Sequence, residues 1–116
     1  MPPHLFLKAL AAAAMCLAAS GAALAQGYPA KPIRLIVPFP AGGATDLFAR
    51  TLSQKMGEKL GATLVVDNKP GAGGAIGSDL AAKSAPDGYT LLLGTTSTHA
   101  IGPVISKVPY DTARDF

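Results

Sequence analysis

Apolar positions along the chain form a dense leading block, followed by short runs whose spacing changes from segment to segment. Of the first 25 residues 19 are apolar, against 38 of the remaining 91. Lys8 is followed by the apolar stretch Ala9 to Ala19, and Ala23-Leu24-Ala25 supplies the small-x-small pattern that a signal peptidase reads. The expectation is an export leader over residues 1–25, cleaved after Ala25. A membrane anchor fits less well, because the stretch is mostly Ala and is broken by Ser20-Gly21, short for spanning ~30 Å of hydrocarbon. Met15 stands where a lipoprotein signal wants a small residue before Cys16.

In the remaining chain, Tyr28 to Pro32 reads as an extended lead-in, since each Pro disfavours helix at the residue before it. Ile33 to Val37 is β-branched and apolar except for Arg34, and it predicts a strand buried on both faces of a parallel sheet. After Ala41-Gly42-Gly43-Ala44, Thr45 is placed to cap a helix. Phe48, Leu52, Met56 and Leu60 then recur every four residues before Gly61, which predicts about four turns of amphipathic helix. A second strand is predicted at Thr63 to Asp67, and a short helix through Ile76, Leu80 and Ala81 or Ala82. Pro86-Asp87-Gly88 is a turn, Thr90 to Gly94 a third strand, and Thr95 to His99 a polar loop leading into a brief helix containing Ile101.

Crossovers longer than a dozen residues join these strands, so the predicted class is α/β, with right-handed βαβ units and a parallel sheet in the order 2-1-3. In that order the winding reverses between strands 1 and 3. The loops after them open a crevice at the carboxyl edge, where ligands of open α/β sheets bind.

Composition narrows the field. Residues 26–116 are one domain at most, and too few to enclose a large cleft between two lobes. The single cysteine lies in the leader, which excludes a disulfide scaffold and suits export without disulfides. A net charge of +3 is too small and too dispersed to argue for nucleic acid.

Three loops carry candidate chemistry. Pro38 to Asp46 lies between strand 1 and a helix amino end, where free N–H groups and the helix dipole favour carboxylate or phosphate. There Asp46 reads first as a capping residue, because an acid beside a bound anion opposes binding unless it orients the loop through backbone N–H groups. Pro70 to Gly77 is Gly-rich but fails as a nucleotide loop: G-x-G-x-x-G counted from Gly71 would need glycine at Ile76, and no P-loop pattern occurs. Gly94 to His99 offers five consecutive hydrogen-bonding side chains that could satisfy carboxylate oxygens without adding charge. No G-x-S-x-G elbow accompanies Ser97 and His99, and His99 has no companion His or Cys in residues 26–116 for a metal. Neither cofactor nor metal is therefore expected.

At this point a resemblance emerges. Tyr28-Pro29-x-Lys31-Pro32-Ile33-Arg34-Leu35-Ile36-Val37-Pro38-Phe39-Pro40-Ala41-Gly42-Gly43, Thr45-Asp46, Val65-Val66-x-Asn68-Lys69-Pro70-Gly71-Ala72-Gly73-Gly74 and Ala85-Pro86-Asp87-Gly88-Tyr89-Thr90-Leu91-Leu92 follow in order. Together they resemble the amino-terminal part of the tripartite tricarboxylate transporter substrate-binding proteins, also called Bug receptors. Departures are few: Ala44 stands where many members carry a third glycine, and Ala75 and Gly102 where Asn is common. The resemblance implies a periplasmic receptor of Venus-flytrap fold that closes two α/β lobes on a small organic carboxylate and passes it to membrane permease subunits. Carried over residue by residue, it implies ligand binding by Phe39, Ala41, Gly42, Gly43 and Asp46, with Gly73 and Gly74 shaping the second loop and Ser97, Thr98 and His99 in the third. Members are about three times this length, so the resemblance also implies an incomplete first lobe, with weak or no binding by these residues alone. The competing readings are a secreted α/β hydrolase fragment using Ser97 and His99, and a truncated product without activity.

Overall fold

The computed structural model describes residues 27–116. The predicted leader and its cleavage point lie outside the described residues. Lys31 to Phe116 forms one compact unit.

Its centre is β1, Ile33–Val37, flanked by β2, Leu64–Asn68, and β3, Thr90–Leu92, both parallel to it. The order is β2-β1-β3, as expected, and the parallel pairing is the one the crossover lengths predict. Register pairs Ile33 with Leu64 and Val37 with Asn68 on one side, and Arg34 with Thr90 and Ile36 with Leu92 on the other. A central strand of a covered parallel sheet has water on neither face, and Ile33, Leu35, Ile36 and Val37 are all buried. Arg34 is accommodated because its Nε donates to the Asp67 carboxylate at 2.7 Å from the neighbouring strand. Two further bonds extend the ladder past the strand ends. Lys69 N–H donates to the Val37 carbonyl at 2.8 Å and Leu93 N–H to the Ile36 carbonyl at 2.9 Å, which starts the second and third loops beside the end of β1.

Helix α1, Ala44–Leu60, covers the face of Leu35 and Val37, where Ala49 joins them in a core flanked by Phe39, Val66, Leu91 and Leu93. Helix α2, Ala75–Ala82, packs on β1 and β3. A single turn at Ala72–Gly74 precedes α2, and a wide turn at Ser97–Ile101 leads into the short α3, Gly102–Ile105. Gly61 ends α1 in the left-handed conformation at φ 63°, its N–H bonded to the Gly57 carbonyl, as the sequence predicts.

Several local expectations are corrected. The four-residue stripe of α1 is not its buried face: Phe48 is 59% and Leu60 42% exposed, whereas Asp46, Ala49 and Ser53 are buried. A step of four residues drifts around a helix, and the small side chains let the helix lie close to the sheet. The chain also folds back tightly where α1 ends, so that a Cβ on Gly57 would sit 2.7 Å from the Ala62 carbonyl oxygen. In α2, likewise, Gly77 and Ser78 face inward while Ile76 is 55% exposed. Thr45 does not cap α1; Gly43 occupies that position, with no side-chain cap. Strand β2 lies one residue later than predicted, and β3 ends two residues earlier.

Candidate functional site

The loop after β1 is pinned at both ends by side chains. Asn68, the last residue of β2, donates from Nδ2 to the Phe39 carbonyl at 3.1 Å and to Asp46 Oδ1 at 3.0 Å. Asp46 Oδ2 in turn accepts from Gly42 N–H at 2.9 Å and from Arg50 Nε at 2.9 Å. Asp46 thus reaches back from the first turn of α1 to the residue before the cap and secures the loop rather than capping the helix. These donors hold its carboxyl down from 3.8 to about 2, Arg50 contributing most, then Gly42 and Asn68, against a smaller opposing effect of burial. It is ionised at every physiological pH. Gly42 adopts φ 84°, a left-handed conformation that suits glycine, although a Cβ there would meet nothing within 4 Å.

The second loop meets the first and third at one glycine. Gly74 is buried at φ 94°, and a Cβ on it would lie 2.5 Å from Thr98 Cγ2 and 3.5 Å from both Phe39 Cζ and Pro38 Cβ. Its N–H donates to the Gly71 carbonyl at 3.0 Å, closing the turn that starts α2. No side chain caps the amino end of α2, just as none caps α1. Two helices therefore begin at the carboxyl edge of the sheet, and in each the first-turn N–H groups lack intrahelical acceptors.

In the third loop, Thr98 is buried and its hydroxyl is fully engaged. Oγ1 accepts from Thr95 N–H at 3.0 Å, donates to the Thr95 carbonyl at 3.0 Å, and lies 2.7 Å from His99 Nδ1. Tyr110 donates its hydroxyl to the Thr98 carbonyl at 2.7 Å, fixing the turn from behind. Ser97 Oγ pairs with Thr95 Oγ1 at 3.1 Å.

The arrangement separates the candidate residues into groups. Thr45, Phe48, Gly94 and Thr95 line an open hollow of about 340 Å³ between the start of α1 and the end of β3. Gly73 and Ser97 border another of about 360 Å³ between the second and third loops. His99 lines a separate hollow of about 580 Å³ beside β3, its ring centroid 4.7 Å from that of Phe116. Ser97 and His99 are hydrogen-bonded to different partners, so the hydrolase alternative has no nucleophile–base pair to rest on. Among the described residues, no group of His, Cys, Asp or Glu side chains comes together as a metal site, and no helix is long and apolar enough to cross a membrane.

Arg50 and Asn68 are the participants that sequence reasoning missed, while Thr95 belongs to the polar loop it singled out. Both left a signal: Arg50 stands four residues after Asp46 on the same helix face, and Asn68 continues the alternation of Leu64 and Val66 towards α1.

Comparison with known proteins places this geometry. Residues 48–116 match the family described as tripartite tricarboxylate transporter family receptor, and the chain belongs to that family. The BugT protein of Bordetella pertussis is 50% identical over 93 residues, which cover 78% of this chain and 28% of that protein. A UPF0065 protein from the tcbD-tcbE intergenic region of Pseudomonas sp. strain P51 is 45% identical over 105 residues, covering 90% of this chain and 31% of its own length. The chain thus spans about a third of the length of these relatives. Among solved structures, MatC from Rhodopseudomonas palustris with bound malate superposes with TM-score 0.71 at 37% identity, covering 77% of this chain and 31% of that one. An R. palustris protein with adipate also gives 0.71, at 38% identity over 75% of this chain and 29% of its own. These neighbours agree with the reading of the sheet and its helices as part of one lobe of a periplasmic binding protein.

Proposed function

We propose that this chain carries the binding loops of a periplasmic receptor that captures a small organic carboxylate, mono-, di- or tricarboxylic, and delivers it to the membrane permease subunits of a tripartite transporter. It is a binding protein and not an enzyme, exported by residues 1–25 and released by cleavage after Ala25. The observation that carries the reading is the pair of helix amino ends without side-chain caps at the carboxyl edge of the sheet, held beside hydroxyl-rich Gly94 to His99. Such an edge offers N–H and O–H donors without a fixed positive charge, and that suits an anion which must later be released.

In this reading Ala41 and Gly43 present backbone at the first loop, Gly42 and Asp46 set its shape, and Phe39 walls it. Gly73 and Gly74 shape the second loop. Ser97 supplies a hydroxyl, while Thr98 and His99 hold the third loop in place. The bound malate and adipate of two relatives support the ligand class.

The test is calorimetric titration of the native protein from the periplasmic fraction, at the length its gene encodes, with malate, adipate, succinate, citrate and glutamate. Saturable binding of at least one, absent for the uncharged succinamide, is expected, and Ser97→Ala should weaken it. Failure of every carboxylate to bind, or hydrolysis that disappears in Ser97→Ala, would refute the proposal.

A further inference from the structure

We infer that Asp46, Asn68 and Arg50 form a clamp that positions the first loop for an anion without themselves touching it. The inference rests on the carboxylate-receptor reading and specifies how an acidic residue is tolerated, and needed, beside an anion site.

Asp46 is nearly enclosed, its side chain 5% exposed. Oδ2 already accepts two hydrogen bonds and Oδ1 accepts one from Asn68. As an ionised carboxylate it has no proton to give, so it can offer a second anion only repulsion. Its three partners instead define what it does. By accepting the Gly42 N–H it turns that peptide inward and sets Gly42 at φ 84°. Asn68 holds the other end of the loop through the Phe39 carbonyl, so the stretch from Phe39 to Gly42 is fixed at both ends by one connected pair of side chains. The peptides that follow, at the start of α1, are then aimed along the helix axis with no side chain capping them.

Arg50 supplies the second half of the device. Its Nε meets the same Asp46 oxygen that holds Gly42, and a terminal nitrogen lies 3.4 Å from Asn68 Oδ1. The cation cancels the Asp46 charge locally, from one helical turn further along α1, so the loop keeps its anchor while an arriving anion meets little net negative potential. Neither Arg50 nor Asn68 need contact the ligand for the site to depend on both.

The sign of one substitution separates this from the alternatives. Asp46→Asn removes a negative charge, which by Coulomb's law alone strengthens anion binding. In the clamp it places an amide –NH2 where an acceptor is required, so we expect binding weakened roughly tenfold or more. The Gly42 amide proton should also exchange faster in the absence of ligand. The assay uses the native full-length protein and whichever acid of the panel above binds it most tightly. The exchanged pair Asp46→Asn with Asn68→Asp should not recover the affinity, because a carboxylate at position 68 cannot donate to the Phe39 carbonyl. Arg50→Gln, at a half-exposed position, serves if Asp46→Asn does not fold: its affinity should fall, and fall more at low ionic strength. Unchanged or tighter binding by Asp46→Asn, or salt-independent and unchanged affinity in Arg50→Gln, would overturn the clamp while leaving the receptor reading intact. If the wild type binds no carboxylate, the receptor reading fails and the clamp fails with it.

Discussion

Gly74 is where the three loops touch, and placing a methyl group there puts a number on how tightly they are joined. Two costs arise in Gly74→Ala. A residue with a Cβ at φ 94° is strained by about 1–2 kcal/mol. The new Cβ would also lie 2.5 Å from Thr98 Cγ2, a methyl on a side chain held by hydrogen bonds from Thr95, and such overpacking costs about 1–3 kcal/mol. The single variant should therefore lose ~2–5 kcal/mol. Thr98→Ser removes Cγ2 and keeps the hydroxyl, at a cost of about 1 kcal/mol for one buried methyl. In that background the remaining neighbours of the added methyl, Phe39 Cζ and Pro38 Cβ, are 3.5 Å away, an ordinary contact. Gly74→Ala should then cost only the backbone strain, which leaves a favourable coupling of ~1–3 kcal/mol between the two substitutions. Urea unfolding of the four proteins of this cycle, followed by circular dichroism, measures it. Additive effects, or a loss below about 1 kcal/mol in Gly74→Ala, would refute the claim that loops two and three are in hard contact at this residue.

Gly77→Ala should also destabilise, because its Cβ would approach the Lys69 carbonyl oxygen at 2.7 Å and Pro38 Cα at 2.9 Å. Backbone atoms cannot step aside, so a loss of ~1–3 kcal/mol by thermal or chemical unfolding is expected despite alanine's better helix propensity. Tyr110→Phe leaves the Thr98 carbonyl without its 2.7 Å donor and should cost about 1–3 kcal/mol in the same assay. Acid should act through Asp46. Its carboxyl is lowered from 3.8 to about 2 in the folded chain, so its contribution to stability is complete above pH ~4 and is lost as pH falls towards 2. Unfolding free energies across pH 2–5 should show that fall in the wild type and a shallower one in Asp46→Asn.

What the sequence revealed, and what it hid, divides along the distance over which each interaction acts. Strand β1 was legible because an apolar, β-branched run interrupted only by Arg34 and followed by prolines has few other uses, and the parallel pairing followed from crossover lengths. The termination of α1 was legible in Gly61, a one-residue signal. The buried face of α1 was not, because Ala49 and Ser53 face the sheet as small residues that let the helix come close, while the larger Phe48 looked like the anchor. Glycine in the second loop was recognisable as a corner, but that Gly74 is the corner where Thr98 and Phe39 meet depends on residues 24 and 35 positions away. The same holds for Asn68, whose partners Phe39 and Asp46 lie 29 and 22 positions back. Asp46 is a candidate from its place at a helix start, but the structure gives α1 no side-chain cap, and the carboxylate accepts instead from Gly42, before the helix. The bond back to Gly42 and the neutralising Arg50 became visible only when the loop had a shape.

Most direct for the claim that these loops bind a carboxylate is nuclear magnetic resonance of the native protein labelled with 15N-glycine, recorded while a binding acid is added. The resonances of Gly43 and Gly73 should shift and saturate together. That of Gly42, already engaged by Asp46, should move little, and those of Gly57 and Gly61 at the far end of α1 should not move. Saturating ligand that leaves Gly43 and Gly73 unchanged, or that shifts Gly57 and Gly61 most, would contradict the assignment of the binding site to the carboxyl edge of the sheet.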